Sequence, residues 1–244
     1  MKGSHPVTST AQTSHLSDNL ELLAHETALL LRTAGALDDS SIRADSLCEG
    51  WTRAHVLAHL ARNADGLGNL VSWAITGTPV AMYASPEARE TDIQAGSARN
   101  ARELLTDLAE SAARFAAAAP GLAGPPERVE VEMRTGRKVP GGRLPTLRLM
   151  EVVFHHADLN AGYTFAEADP GLVRRAVGNA VERMGSGSAR PDVLLRGDNG
   201  QTWTLGEGTQ EVTGTNAALL SWLARGNEAG VSSENALPRL PPWG

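Results

Sequence analysis

Residues 50–64, GWTRAHVLAHLARNA, read as the opening turns of a helix with histidines four apart, His55 and His59, and Asn63 one turn further on. Histidine is a poor helix filler, so two of them at one-turn spacing beside an apolar face require either hydrogen-bond partners or a ligand. Thr52 predicts the N-cap, and Gly77, just ahead of Pro79, predicts the end. Upstream, SDNLELLAHETALLLRTAGAL (17–37) carries Leu20, Leu23, Ala24, Leu30, Leu31 and Ala34 at helical intervals after a cap at Ser17. Downstream, an alanine-rich helix is expected over Ala101–Ala119, stopped by Pro120. A short hairpin follows around Thr135–Gly136, then a fourth helix from about Thr146 to Ala161. The intervening TPVAMYASPEAR reads as an irregular connection. Four helices in this order predict an α-bundle over residues 17–165.

Beyond Gly162 the texture changes. A helix over Pro170–Met184, two strands about Asp198–Asn199–Gly200, a third in EVTGT and a helix over Asn216–Arg225 predict a smaller α+β domain over 166–244. The closing ALPRLPPWG should run extended. The fold class is therefore α+β, a four-helix bundle followed by a small α+β domain. Residues 1–16 read as a flexible leader, in part an expression remnant, and lack the pattern of a secretory signal.

The chain of 244 residues carries a net charge of −6 and no basic run, which argues against nucleic acid as a partner. No apolar stretch reaches the roughly 20 residues of a membrane span. A single cysteine, Cys48, permits no internal disulfide and suits a reducing cytoplasm. A cytoplasmic chain with neither nucleic-acid nor membrane partners is the expectation; the sequence leaves the oligomeric state open, with a monomer favoured.

The fourth helix holds MEVVFHHADL, in which Glu151 and His155 stand one turn apart on one face. With His59 from the second helix they make a three-ligand set of nitrogen and oxygen donors, the composition of catalytic zinc sites that keep a position open. Nickel, iron or manganese accept the same ligands. Asp158, three beyond His155, is placed either to hold that histidine's free ring nitrogen or simply as a polar group near the helix end. His156 points away and reads as a packing or hydrogen-bonding residue. Cys48 reads as buried filler with no base beside it. Trp51 and Trp73 read as core or bundle-end anchors.

LCEGWTRAHVLAHLARNA, MYASPEAR, EVVFHHADL and LARG together resemble the mycothiol-dependent maleylpyruvate isomerases, within the DinB-like metal-binding superfamily. The resemblance implies a metal-carrying bundle, a smaller α+β domain, a zinc ion and mycothiol as thiol cosubstrate. It assigns the metal to His59, Glu151 and His155, leaves His55 a neighbour, and places at Arg225 an active-site arginine of the C-terminal domain. Arg89 of SPEAR is a second candidate for thiol or substrate carboxyl groups. One departure stands out: Met150 precedes the glutamate where relatives can carry arginine, although Arg148 is present, and this bears on the substrate side of the site. The implied reaction is cis–trans isomerisation of maleylpyruvate, or a related cis-enedioate, by reversible thiolate addition. A mycothiol S-transferase and a non-catalytic metal-binding bundle are the competing readings.

Overall fold

The computed structural model describes residues 9–185 and 190–241, which form two compact units divided after Gly162. The first holds five α-helices and a hairpin. Helix α1, Ser9–Gly35, begins eight residues ahead of the predicted Ser17 cap, so half of the expected leader is helical; positions 1–8 lie outside the described residues.

Helix α2, Arg53–Thr76, starts and stops where the punctuation places it, with Thr52 as extended N-cap and Gly77 in the left-handed conformation at its end. His55 explains itself here. Its Nδ1 accepts from the Thr52 backbone N–H (3.3 Å) and lies 2.8 Å from the Thr52 hydroxyl, while Nε2 faces Gln94 Oε1 at 3.2 Å. Both ring nitrogens are occupied, so His55 tethers the helix start. His55→Ala should cost about 1 kcal/mol of stability in urea unfolding, the usual worth of such a cap, and leave metal occupancy unchanged.

Helix α3, Pro86–Ser97, corrects the irregular connection expected over this region. Its start signals are strong: Ser85 Oγ accepts from Ala88 N at 3.0 Å, Pro86 opens the first turn and Glu87 follows. Only Ile93, Gly96 and Ser97 are buried, so no apolar period announces it. Gly96 lies against α2 so closely that a Cβ there would sit 2.8 Å from Ala58 Cβ. At Gly66 a Cβ would meet the Tyr83 ring at 2.8 Å, so glycine lets the 82–83 segment cross α2.

Helix α4, Ala101–Ala118, is opened by a reciprocal pair of bonds between Asn100 and Glu103. Strands β1, Glu130–Glu132, and β2, Lys138–Pro140, pair antiparallel with Val131 opposite Val139. Helix α5, Leu144–Asp158, ends three residues short of the expected Ala161, and Asn160 at φ 49° turns the chain away. Helices α1, α2, α4 and α5 form the bundle, and α3 packs on α2. Leu30, Leu57, Leu60, Leu67, Leu108, Phe115 and Val152 fill its core, each essentially inaccessible.

The second unit contains α6, Pro170–Gly185, and α7, Asn216–Arg225, packed on each other. Strands β3 (Val193–Arg196), β4 (Thr202–Leu205), β5 (Gln210–Gly214) and β6 (Val231–Ser233) form one sheet in the order β4-β3-β5-β6. The β3–β5 pair is parallel and the other two are antiparallel. Strand β6 was not expected; three residues of mixed burial carry no readable alternation. The proline-rich tail has no regular structure through Pro241, and 242–244 lie outside the described residues. Among the described residues no helix is long and apolar enough to cross a membrane.

Candidate metal centre

Helix α2 presents His59 and helix α5 presents Glu151 and His155 to one point. Their donor atoms all lie within 4.8 Å of one another, a spread that one ion can bridge. His59 Nε2 is 3.0 Å from Glu151 Oε2, and His155 Nε2 is 3.6 Å from the same oxygen. The imidazoles of His59 and His155 meet edge to face, centroids 4.6 Å apart. His59 is buried at 6 % exposure, whereas 36 % of the Glu151 side chain is open. Two imidazoles and one carboxylate fit a borderline dication with room for a further ligand.

The protonation states favour ligation. Burial, aided by the nearby charges of His155 and Arg89, pushes His59 down to about 4, against the raising effect of Glu151. Burial would raise Glu151, but its hydrogen bond with His59 and nearby positive charge, that of Arg148 included, hold it near 2. A neutral imidazole and an ionised carboxylate are the forms that bind metal. In metal-stripped protein, the unfolded chain protonates His59 near 6.5 and the folded chain only near 4. The unfolded state therefore binds the extra proton between these values, and stability falls as pH falls through that window, by up to about 3 kcal/mol. Urea unfolding at pH 7 and pH 4.5 should show this loss, and His59→Gln should diminish it.

Groups behind the three donors fix their orientation. Asp158, fully buried, takes His155 Nδ1 at 2.8 Å, which turns Nε2 toward His59 and Glu151. The reading of Cys48 as filler without a base is corrected: its Sγ donates to Asp158 Oδ2 at 3.2 Å and lies 3.9 Å from His155 Nδ1. The Asp158 backbone carbonyl also accepts from Leu47 N at 2.9 Å, so a loop and a helix end, remote in sequence, meet at this carboxylate. Cys48, His155 and Asp158 are themselves close enough to share an ion. Their short contacts, however, are hydrogen bonds in which one carboxylate serves both neighbours, the arrangement a histidine ligand needs behind it. His156 turns elsewhere, its Nε2 2.7 Å from Thr33 Oγ1.

Arg89 was singled out for substrate groups, and the fold sets it against a predicted ligand. Its Nη2 lies 3.0 Å from His59 Nδ1, so the two nitrogens of that ring face Arg89 and Glu151. The guanidinium also lies 5.7 Å from the Tyr83 ring centroid. A recess of about 470 Å³ opens beside it, lined among others by Trp73, Met82, Tyr83, Arg89 and Arg134. Trp73 is thus a wall of this recess, and Trp51 packs on His59 at 5.4 Å, so neither is only an anchor. Arg148 does not stand in for the arginine absent at Met150: it is buried in the bundle, where Nη1 donates to Leu60 O and Asn63 Oδ1, both at 2.8 Å. Arg225 belongs to the second unit, at the end of α7, where its Nη1 donates to Ala224 O at 2.7 Å.

Residues 23–160 match the family model described as the mycothiol maleylpyruvate isomerase N-terminal domain. No curated protein sequence matches the chain. Among solved structures, the mycothiol-dependent maleylpyruvate isomerase superposes with a TM-score of 0.87 at 31 % identity, covering 93 % of this chain and 97 % of that one. A histidine-to-alanine mutant of the mycothiol-dependent maleylpyruvate isomerase matches with the same figures. With more than half the chain inside the family model and nearly all of it shared with that enzyme, the protein belongs to the mycothiol-dependent maleylpyruvate isomerase family.

Proposed function

We propose that this protein is a zinc- and mycothiol-dependent cis–trans isomerase acting on maleylpyruvate or a closely related cis-enedioate. The observation that carries the reading is the convergence of His59, Glu151 and His155 within 4.8 Å, in a chain that shares its fold with the isomerase along nearly its whole length.

Rotation about a C=C bond is too slow to be useful, so the double bond must be removed for a moment. A thiolate adds to the electron-poor alkene carbon, the remaining single bond rotates, and expulsion of the same thiolate restores the alkene in the trans form. The thiol is unchanged overall. A free thiol of pKa about 8.5 is mostly protonated at neutral pH, and the chemistry a bound dication supplies is its deprotonation. His59, Glu151 and His155 would hold that ion, with Asp158 keeping His155 in register. Addition moves charge onto the substrate's carbonyl oxygen as an enolate. Arginine suits both this charge and a carboxylate, because its planar fork donates two parallel hydrogen bonds. The family resemblance gives Arg225 as an active-site arginine, and it is our candidate for that role. Arg89 is the second candidate for thiol or substrate carboxylates, supported by its place beside His59 and the recess.

The deciding experiment incubates purified protein with zinc, mycothiol and maleylpyruvate and follows the ultraviolet change, with mass spectrometry on the products. Isomer formation with recovery of free mycothiol is expected. A stable thiol conjugate as the sole product would replace this reading with an S-transferase. No reaction from metal-loaded protein would leave a binding bundle. Cys48→Ser should keep most of the activity, because serine can donate to Asp158 as the thiol does; a folded, metal-loaded and inactive Cys48→Ser protein would mean that the cysteine takes part in the chemistry.

A further inference from the structure

The two candidate histidine ligands are backed by opposite kinds of group. Behind His155, the Asp158 carboxylate stands 2.8 Å from Nδ1 and can accept a hydrogen from it. Behind His59 stands Arg89, whose Nη2 lies 3.0 Å from Nδ1. An ion held by Nε2 takes that nitrogen's lone pair, so the hydrogen of the neutral ring stands on Nδ1. Ligating histidines normally donate that hydrogen to a carboxylate, a carbonyl or water. A guanidinium has five donors and no acceptor. With an ion on His59 Nε2, two N–H groups would therefore face each other across 3.0 Å. Asp158 suits a ligating histidine, and Arg89 in this position does not.

Little holds Arg89 where it lies. Its Nε is buried and has no partner among the described residues, so this position leaves one N–H unsatisfied. Its ion pair with Glu90 spans 3.9 Å, beyond hydrogen-bond range, and 52 % of the Glu90 side chain is exposed. The space to move into is at hand. Arg89 lines the recess of about 470 Å³ together with Tyr83, Glu132 and Arg134. The Tyr83 ring, 5.7 Å from the guanidinium, is part of the wall.

We propose that loading a metal ion onto His59 drives Arg89 off Nδ1 and turns its guanidinium into the recess. The loaded protein then offers a carboxylate an arginine fork there, which the metal-free protein keeps against the ligand. By reciprocity, the contact seen here opposes metal binding. The inference rests on His59 as a metal ligand, and not on the isomerisation.

Two measurements on the full-length protein test it. In competition with a chromophoric chelator, Arg89→Gln should bind zinc about tenfold more tightly than the wild type, because the amide oxygen can accept from Nδ1–H; a partner behind a histidine ligand is typically worth about 10–100-fold. Phenylglyoxal labelling, mapped by peptide mass spectrometry, reads the arm itself. Arg89 of the wild type should react several-fold faster with zinc than without, and His59→Ala should show no such rise. Zinc affinity in Arg89→Gln at or below the wild-type value would mean that Arg89 holds the ligating ring as an imidazolate, and would overturn the proposal. Labelling of Arg89 that zinc leaves unchanged or slows would do the same. Undiminished zinc affinity in His59→Ala would instead remove the ligand assignment, and the proposal with it.

Discussion

Arg225→Ala should fold, keep its metal and lose about 10²–10³-fold in turnover, the loss that follows removal of one donor to a developing oxyanion, roughly 3–4 kcal/mol. The expectation rests on the proposed role of Arg225, which the family resemblance gives as an active-site arginine. A group that acts on charge developed after thiolate addition contributes to the transition state more than to binding of thiol or metal. The loss should therefore appear in kcat, with metal content and mycothiol affinity near the wild-type values. Arg225→Lys should recover only part, because a point charge cannot reproduce the planar fork that grips a carboxylate or enolate. Wild-type turnover in Arg225→Ala would remove the residue from the mechanism and pass its role to Arg89, which already lies against His59.

His59→Ala should lose the metal. The side chain is the sole donor that α2 contributes to the cluster, whereas α5 contributes two. Losing a group that only hydrogen-bonds to a ligand typically weakens metal binding by about 10–100-fold, and losing the ligand itself should exceed that. Elemental analysis after dialysis is the direct measurement. The graded comparison is with Asp158→Ala, which keeps all three donors and frees His155 Nδ1, and which should fall within the 10–100-fold band. Full metal occupancy in His59→Ala would mean that the ion sits elsewhere, with the Cys48, His155 and Asp158 cluster as the place to look.

Much of this molecule is legible along the chain because its signals are local. Thr52 and Gly77 bracket α2, Asn216 and Arg225 bracket α7, and the hairpin about Asp198–Asn199–Gly200 pairs β3 with β4. Capping chemistry and side-chain period act within one or two turns, so a reader of the sequence sees what the chain itself senses. Elements without a buried period escape that reading. Helix α3 has start signals but buries only its far end, and β6 is held by its ladder to β5 rather than by its own pattern.

The site divides along the same line. The one-turn spacing of Glu151 and His155 and the pairing of His55 with Thr52 follow from helix geometry, and so belong to the sequence alone. Which groups stand behind the donors depends on contacts between residues far apart in the chain. Arg89 is 30 residues from His59, and Cys48 is 110 from Asp158. No local rule carries such distances; they are set when α2, α3 and α5 pack and the 46–51 loop closes over the end of α5. The same packing brings the Arg148 guanidinium into the interior of the bundle, against Leu60 and Asn63 of α2. Sequence determined the helices and the donor types, and tertiary packing decided their partners, because helical period is a property of neighbours and convergence is a property of the whole core.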